Sequence, residues 1–174
     1  DTLAATIFFP ANLLIWGEAW VENFERLTHL ETRIHVTGSP WHDYLSRSTA
    51  PTATEHDILF IGGSQATNHS ARWARLYEQL VGDIVQACEN NEWSLAIKLH
   101  PIEDSKWYRE RGWERYVVEF DSIRDALNSA NTAVTHFSSA FVESIALETP
   151  IILINEWSYG LDEIRPIKGT YFVN

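Results

Sequence analysis

Four short stretches hold the side chains whose types and spacing could do chemistry. In His136-Phe137-Ser138-Ser139, two hydroxyls stand where the pattern switches from strand to helix. Hydroxyl oxygens and backbone N–H groups at such a switch can surround an anion, and a helix N-terminus adds about half a positive charge. The same residues also suit a plain helix cap, in which one Ser satisfies the helix and nothing binds. Glu143 follows Ser139 by one helical turn, so its carboxylate can face the same crevice and accept both ribose hydroxyls of a nucleotide; on this residue alone a solvated helix carboxylate is the favoured reading. His100 ends the run KLHP. Pro101 holds it extended, which aims the ring off the end of a strand. An imidazole there can donate to a phosphate oxygen and gains charge near neutral pH, or it can simply cap the loop. Lys98 alternates with His100 and could share its face, but the expectation is that it snorkels out of the sheet. Gly62-Gly63-Ser64-Gln65 follows an apolar run, and glycines let a backbone approach a ligand closely. The stretch is neither a Walker phosphate loop nor a full dinucleotide fingerprint.

These loops need strands and helices to position them, and the pattern supplies both. Asp57–Ile61 is a continuous apolar run, as in a buried parallel strand. Trp73, Leu76, Tyr77, Leu80, Val81, Ile84, Val85 and Cys88 recur at 3–4 spacing, one face of a helix over residues 70–90. Ser94–Leu99 reads as a second strand, Ser105–Arg111 as a polar helix and Tyr116–Phe120 as a third strand. Asp121 or Ser122 can cap a short helix through Ser129. Thr132–His136 is a fourth strand, residues 138–148 a helix and Ile151–Ile154 a fifth strand. Strands apolar throughout, alternating with helices, predict an α/β fold with a doubly wound parallel sheet. Ligands bind such sheets beyond the carboxyl ends of the strands.

The segment SRSTAPTATEH, residues 46–56, lacks an apolar period and reads as a linker. Before it, residues 7–9, 13–16 and 33–37 look extended and residues 18–27 helical, too little to close a core. The expected organisation is therefore residues 1–45 as the tail of a preceding domain, 46–56 as linker and 57–174 as the main domain. The abrupt start and end suggest a fragment of a longer protein.

Composition narrows the function classes. The chain has 174 residues, 24 Asp plus Glu against 13 Lys plus Arg, and a formal charge of −11. That excess speaks against nucleic acid as the main partner, because phosphate backbones call for a net basic surface; a small phosphorylated ligand needs only a few local donors. The one cysteine, Cys88, rules out an internal disulfide and a cysteine metal site, reads as a helix core residue and makes a reducing cytoplasm the default. His29, His35, His42, His56 and His69 show no metal-ligand spacing, and there is no DxD motif or nucleophile elbow. No metal and no further cofactor is expected. The eight Trp are expected mostly to pack.

Over about residues 57–160 the chain resembles the C-terminal, donor-binding half of GT-B glycosyltransferases. FIGGSQAT is similar to the glycine loop of the lipid-linked GlcNAc transferase of peptidoglycan synthesis. THFSSAFVESIALETPIILI resembles the donor-site helix of that enzyme, with Glu143 seven residues before Pro150 as the ribose ligand. KLHP with a later Ser-Ser resembles the capsule and teichoic-acid transferases, including CDP-glycerol glycerophosphotransferases and CMP-sugar transferases with an HP motif. IHVTGSPWHDYL resembles the interdomain stretch of these enzymes and of non-hydrolysing UDP-GlcNAc 2-epimerases. LLIWGEAWVENF resembles the last strand and helix of their N-terminal domain.

The resemblance implies a Rossmann-like donor domain. It nominates His100, Ser138, Ser139, Gly63 and Ser64 for donor phosphates and Glu143 for ribose. It further implies a CMP-, CDP- or UDP-linked sugar or polyol donor, a saccharide or lipid-linked acceptor and a role in surface polysaccharide synthesis without a divalent metal. A lipid-linked acceptor would bring peripheral contact with the inner face of a membrane, although no amphipathic basic helix is evident. The acceptor domain, which usually supplies the catalytic base, is mostly absent, so no catalytic residue is assigned. A 2-epimerase and a non-catalytic nucleotide-binding or interaction module are the alternatives.

Overall fold

A computed structural model describes residues 11–18, 21–27, 32–47, 54–63, 71–136, 138–154 and 170–173. The chain divides into two units, residues 1–44 and 45–174. In the first, β1 (Asn12–Ile15) and β2 (Arg33–Val36) pair in parallel, with α1 (Val21–Leu27) between them in sequence. The His35 ring reaches Asn12 Oδ1 at 2.9 Å across that pair. The expected strand at residues 7–9 lies outside the described residues. Helix α2 spans Pro40–Ser46, and the first strand of the second unit begins at His56; most of the expected linker between them is not described.

The second unit is built on five parallel strands in the order β4-β3-β5-β6-β7. They are β3 (His56–Ile61), β4 (Leu95–Lys98), β5 (Ala130–Thr135), β6 (Ile151–Ile154) and β7 (Thr170–Val173). Helices α3 (Ala71–Asn90), α4 (Ser105–Arg109), α5 (Ile123–Asn128) and α6 (Ala140–Ala146) connect or flank them. Alternation along the strands sends residues to two cores. Phe60, Leu95, Ile97 and Val134 join Tyr77, Leu80, Val81, Val85 and Cys88 of α3 on one face. Leu59, Ile61, Ala96, Ala133, Ile151 and Leu153 meet Ala126 and Leu127 of α5 and Ala140 of α6 on the other. The α3 side chains recur at the spacing that the sequence predicts, and Cys88 is buried among them. The alanines on the second face leave room for the short helices α5 and α6 to lie close to the sheet.

Two local differences from the sequence reading have physical causes. Residues 116–120 form no regular strand. A 3₁₀ turn occupies Glu114–Tyr116, and only Val117 bridges to Ile97, with the Val118 N–H donating to the Ile97 carbonyl at 3.0 Å. The segment lies at the sheet edge, where one neighbour offers a ladder on one side only. Helix α6 stops at Ala146 rather than near Glu148, because Glu148 takes a left-handed φ of 58°. The Ser144 hydroxyl then closes the turn by donating to the Thr149 carbonyl at 2.6 Å. Elsewhere the caps fall as expected: Ser122 Oγ accepts the Asp125 N–H at 3.1 Å and donates to Asp125 Oδ2 at 2.6 Å, fixing the start of α5.

Counting the Val117 bridge as the outermost partner of β4, the chain runs outward from β3 through β4 to that edge, then returns to β5 on the other flank of β3. This is the strand order of the Rossmann-like doubly wound fold, and the reversal falls between β3 and β5. Connections leaving those two strands go to opposite faces, which opens a crevice at their carboxyl ends. Among the described residues no helix is long and apolar enough to cross a membrane.

Candidate functional site

The crevice at the reversal point holds a cavity of about 220 Å³. Among the described residues four segments reach it: Ile61 and Gly62 at the end of β3, Lys98 to Pro101 at the end of β4, Ile123 of α5, and Ser138, Ser139, Ala140 and Glu143 at the start of α6. Sites for whole drug-sized ligands run to about 300–1,000 Å³, so the part of the crevice that the described residues enclose is smaller than such a site.

His100, Ser138, Ser139 and Glu143, nominated from three separate stretches of sequence, therefore share one cavity. The two serines differ in what they already do. Ser138 Oγ accepts the Ala140 N–H at 3.2 Å and so serves the helix. Ser139 is exposed and makes no side-chain cap bond. Helix α6 has only 7 residues, so its dipole is small and hydroxyls and side chains must supply most of the polarity. Glu143 lies half-buried, and its Oε2 is buried with no hydrogen-bond partner among the described residues. A carboxylate oxygen in that condition is costly unless a donor arrives, and a ribose hydroxyl is a donor of the right kind.

His100 is half-buried. Its Nδ1 accepts the Ile102 N–H at 3.3 Å, which in the neutral ring assigns the proton to Nε2 and leaves an N–H free to donate. Lys98 stands close by. It is among the residues that line the same cavity as His100, the shared face that alternation allows, and its ammonium makes no ion pair among the described residues.

The glycine loop is placed less simply. Gly62 lines the cavity. Gly63 is buried, and its N–H donates to the Tyr77 hydroxyl at 3.1 Å, so that amide is engaged inside the protein. Ser64 lies outside the described residues, as do Gln65 and Phe137. A Cβ on Gly62 would collide with Glu103 Oε2 and stand 3.2 Å from the Lys98 carbonyl, so glycine is a steric requirement here.

Glu103 was not singled out from sequence, yet it organises the crevice from behind. Its Oε2 accepts the His100 N–H at 2.7 Å, and its Oε1 accepts the Tyr77 and Tyr108 hydroxyls at 2.8 and 2.9 Å. The two phenol oxygens are 3.1 Å apart. Burial pushes the Glu103 carboxyl above the usual range, while the His100 amide and the two hydroxyls pull the other way. Burial likewise pushes both phenols well up, and the nearby carboxylate adds to it. The signal was present in HPIED: an acid three residues after a strand-ending His can reach back to its backbone N–H. The 3–4 spacing shows Tyr77 as an apolar helix position, which it also is.

His136, one residue past β5, is 1% exposed, and burial drives its imidazole down to about 4, so it is neutral at pH 7. Among the described residues no three His, Cys, Asp or Glu side chains stand together as a metal site. Among the described residues Glu143 is the acidic residue lining the cavity.

Taken as chemistry, the crevice is lined by a lysine and an imidazole from the end of β4 and by a hydroxyl and a hydrogen-bond-accepting carboxylate from the start of α6. That combination suits a molecule carrying both anionic oxygens and neighbouring hydroxyls. No family model matches the chain, and no curated protein matches it.

Proposed function

We propose that residues 57–174 are the donor-nucleotide domain of a GT-B-type glycosyltransferase or glycerophosphotransferase. The observation that carries this reading is the meeting of Lys98, His100, Ser139 and Glu143 in one cavity at the β3/β5 reversal, with Glu143 Oε2 buried and lacking a donor. A nucleoside diphosphate answers both halves of that site. Its phosphates take the ammonium, the imidazole N–H and the Ser139 hydroxyl, and a ribose hydroxyl donates to Glu143.

Displacement at the donor's anomeric carbon or phosphorus builds negative charge on the departing nucleotide phosphate. Donors fixed around that phosphate stabilise the transition state more than the ground state, which is the condition for catalysis. The attacking hydroxyl belongs to a saccharide or lipid-linked acceptor. Its base would come from outside the cavity, because Glu143 is committed to the ribose. In this reading the protein works in the cytoplasm, at the inner face of a membrane where such an acceptor lies.

A thermal-shift screen against CMP, CDP, UDP and GDP tests the proposal, because a ligand that binds only the folded state must stabilise it, by about 2.7 kcal/mol at 100 times Kd. Calorimetry should then show weaker binding in His100→Ala and Ser139→Ala. Absence of binding at millimolar nucleotide, or unchanged affinity in both variants, overturns it.

A further inference from the structure

We propose that Glu103 is the positioning residue of this crevice, coupling the loop after β3 to the loop after β4 through Tyr77 and Tyr108 so that both present fixed geometry to a ligand. The bonds form a continuous chain. The Gly63 N–H donates to the Tyr77 hydroxyl, which donates to Glu103 Oε1. Tyr108 donates to the same oxygen, and Oε2 takes the His100 N–H. The backbone of this loop is closed as well, by the Glu103 N–H on the His100 carbonyl at 2.8 Å and by the Gly62 N–H on the Lys98 carbonyl at 2.9 Å.

Both tyrosines are 0% exposed, so the network lies within a packed core where its members have little room to rearrange. A carboxylate in such a place carries a desolvation cost that an apolar side chain of the same volume would avoid. What the apolar side chain could not supply is an acceptor for three donors from three segments: α3, α4 and the turn at His100. Gly62 fits the same picture, since any larger residue there would displace the carboxylate. The Glu103 carboxylate does not line the cavity itself, so its effect on a ligand passes through the Gly62 backbone and the His100 ring.

The identity of the ligand rests on the reading given above; the coupling does not, and the experiment separates the two. Amide hydrogen exchange at Gly63 and His100 is measured by NMR in wild type, Glu103→Ala, Glu103→Gln and Tyr108→Phe, with Val85 and Val134 as references. CDP and UDP affinities are measured on the same samples. Gln keeps a carbonyl for the His100 N–H and turns its amide toward the tyrosine hydroxyls. The expected result is exchange at least about tenfold faster at Gly63 and His100 in Glu103→Ala, in keeping with loss of charge-assisted hydrogen bonds. The references should stay unchanged, and Gln should restore most of the protection. Nucleotide affinity should fall about tenfold in the Ala variant and recover in the Gln variant.

Unchanged protection in Glu103→Ala, or faster exchange equal at all four amides, overturns the coupling. If Glu103→Ala does not fold, Tyr108→Phe decides. It removes one donor at nearly constant volume, and faster exchange at His100 alone supports the coupling, while no change refutes it. Should wild type bind neither nucleotide, the functional reading fails and the exchange result still judges Glu103.

Discussion

His136→Gln should change the pH dependence of stability by an amount the structure sets. His136 is 1% exposed, and its imidazole titrates near 4 in the folded protein against 6.5 for a free histidine. Between those values the native state binds fewer protons than the unfolded chain, so stability rises with pH through that window and is lost as pH falls through it. Proton linkage with these two constants gives a loss of about 2.5 kcal/mol between about pH 7.5 and pH 4.5. Glu103 acts in the opposite sense. Its raised carboxyl holds a proton in the native state that the unfolded chain has released, so its contribution grows as pH falls toward the usual carboxylate range. Asp57, Glu89 and Glu114 are held low by hydrogen bonds and ion pairs, and what they contribute is lost only at more acid pH. Those other groups remain in the variant, so they cancel in the difference insofar as they do not couple to residue 136. Urea midpoints followed by tryptophan fluorescence across this range should show wild type losing about 2.5 kcal/mol more than His136→Gln. Parallel curves would mean that the imidazole is protonated or solvated in the native state, and the linkage reasoning would be wrong.

Glu143→Gln should weaken CDP or UDP binding by about tenfold through loss of a charged acceptor, with melting temperature unchanged or raised, because the carboxylate oxygen it removes has no partner; calorimetry and a melting curve check both. Ser138→Ala should cost about 0.5–2 kcal/mol in urea unfolding as a lost cap, whereas Ser139→Ala should leave stability within about 0.5 kcal/mol of wild type and act only on ligand affinity. Gly62→Ala should cost about 1–3 kcal/mol through overpacking against Glu103 and weaken nucleotide binding together with stability, both measured on one preparation.

The strands and the long helix were legible because their periodicities differ and nothing tertiary overrides them. Leu59, Phe60 and Ile61 must be buried on two faces, and only a covered parallel strand does that. The third strand was over-read because Tyr116–Phe120 has strand composition but lies at an edge, and composition does not report how many neighbours a strand has. His100, Ser138, Ser139 and Glu143 were legible as a set because strand order brings strand ends together, and loops after apolar runs mark those ends. For Lys98, alternation gives the face it shares with His100 but not that a crevice lies there. Glu103 is legible locally only as an acid that can reach back to the His100 N–H; its bond to Tyr77 joins residues 26 apart in sequence, and no local pattern encodes that.

A phosphate site in so acidic a chain looks contradictory, and the distances at which charges act resolve it. The net charge is −11, yet at physiological ionic strength the Debye length is about 8 Å. Most of the surface carboxylates therefore contribute little at a ligand in the crevice. Among the described residues that line or brace the crevice, the ionisable side chains are Lys98, His100, Glu143 and Glu103, and the Glu103 carboxylate is turned onto three donors. Affinity must then come from short, directed hydrogen bonds rather than from a basic surface, while the acid excess acts mainly on encounter, slowing the approach of an anion at low salt. Adding salt should accordingly speed association and leave affinity nearly level, the reverse of a protein that gathers phosphate by net positive charge. A steep loss of nucleotide affinity between about 0.05 and 0.3 M salt would mean that long-range attraction dominates, and the weight placed on the Glu103-braced geometry would be misplaced.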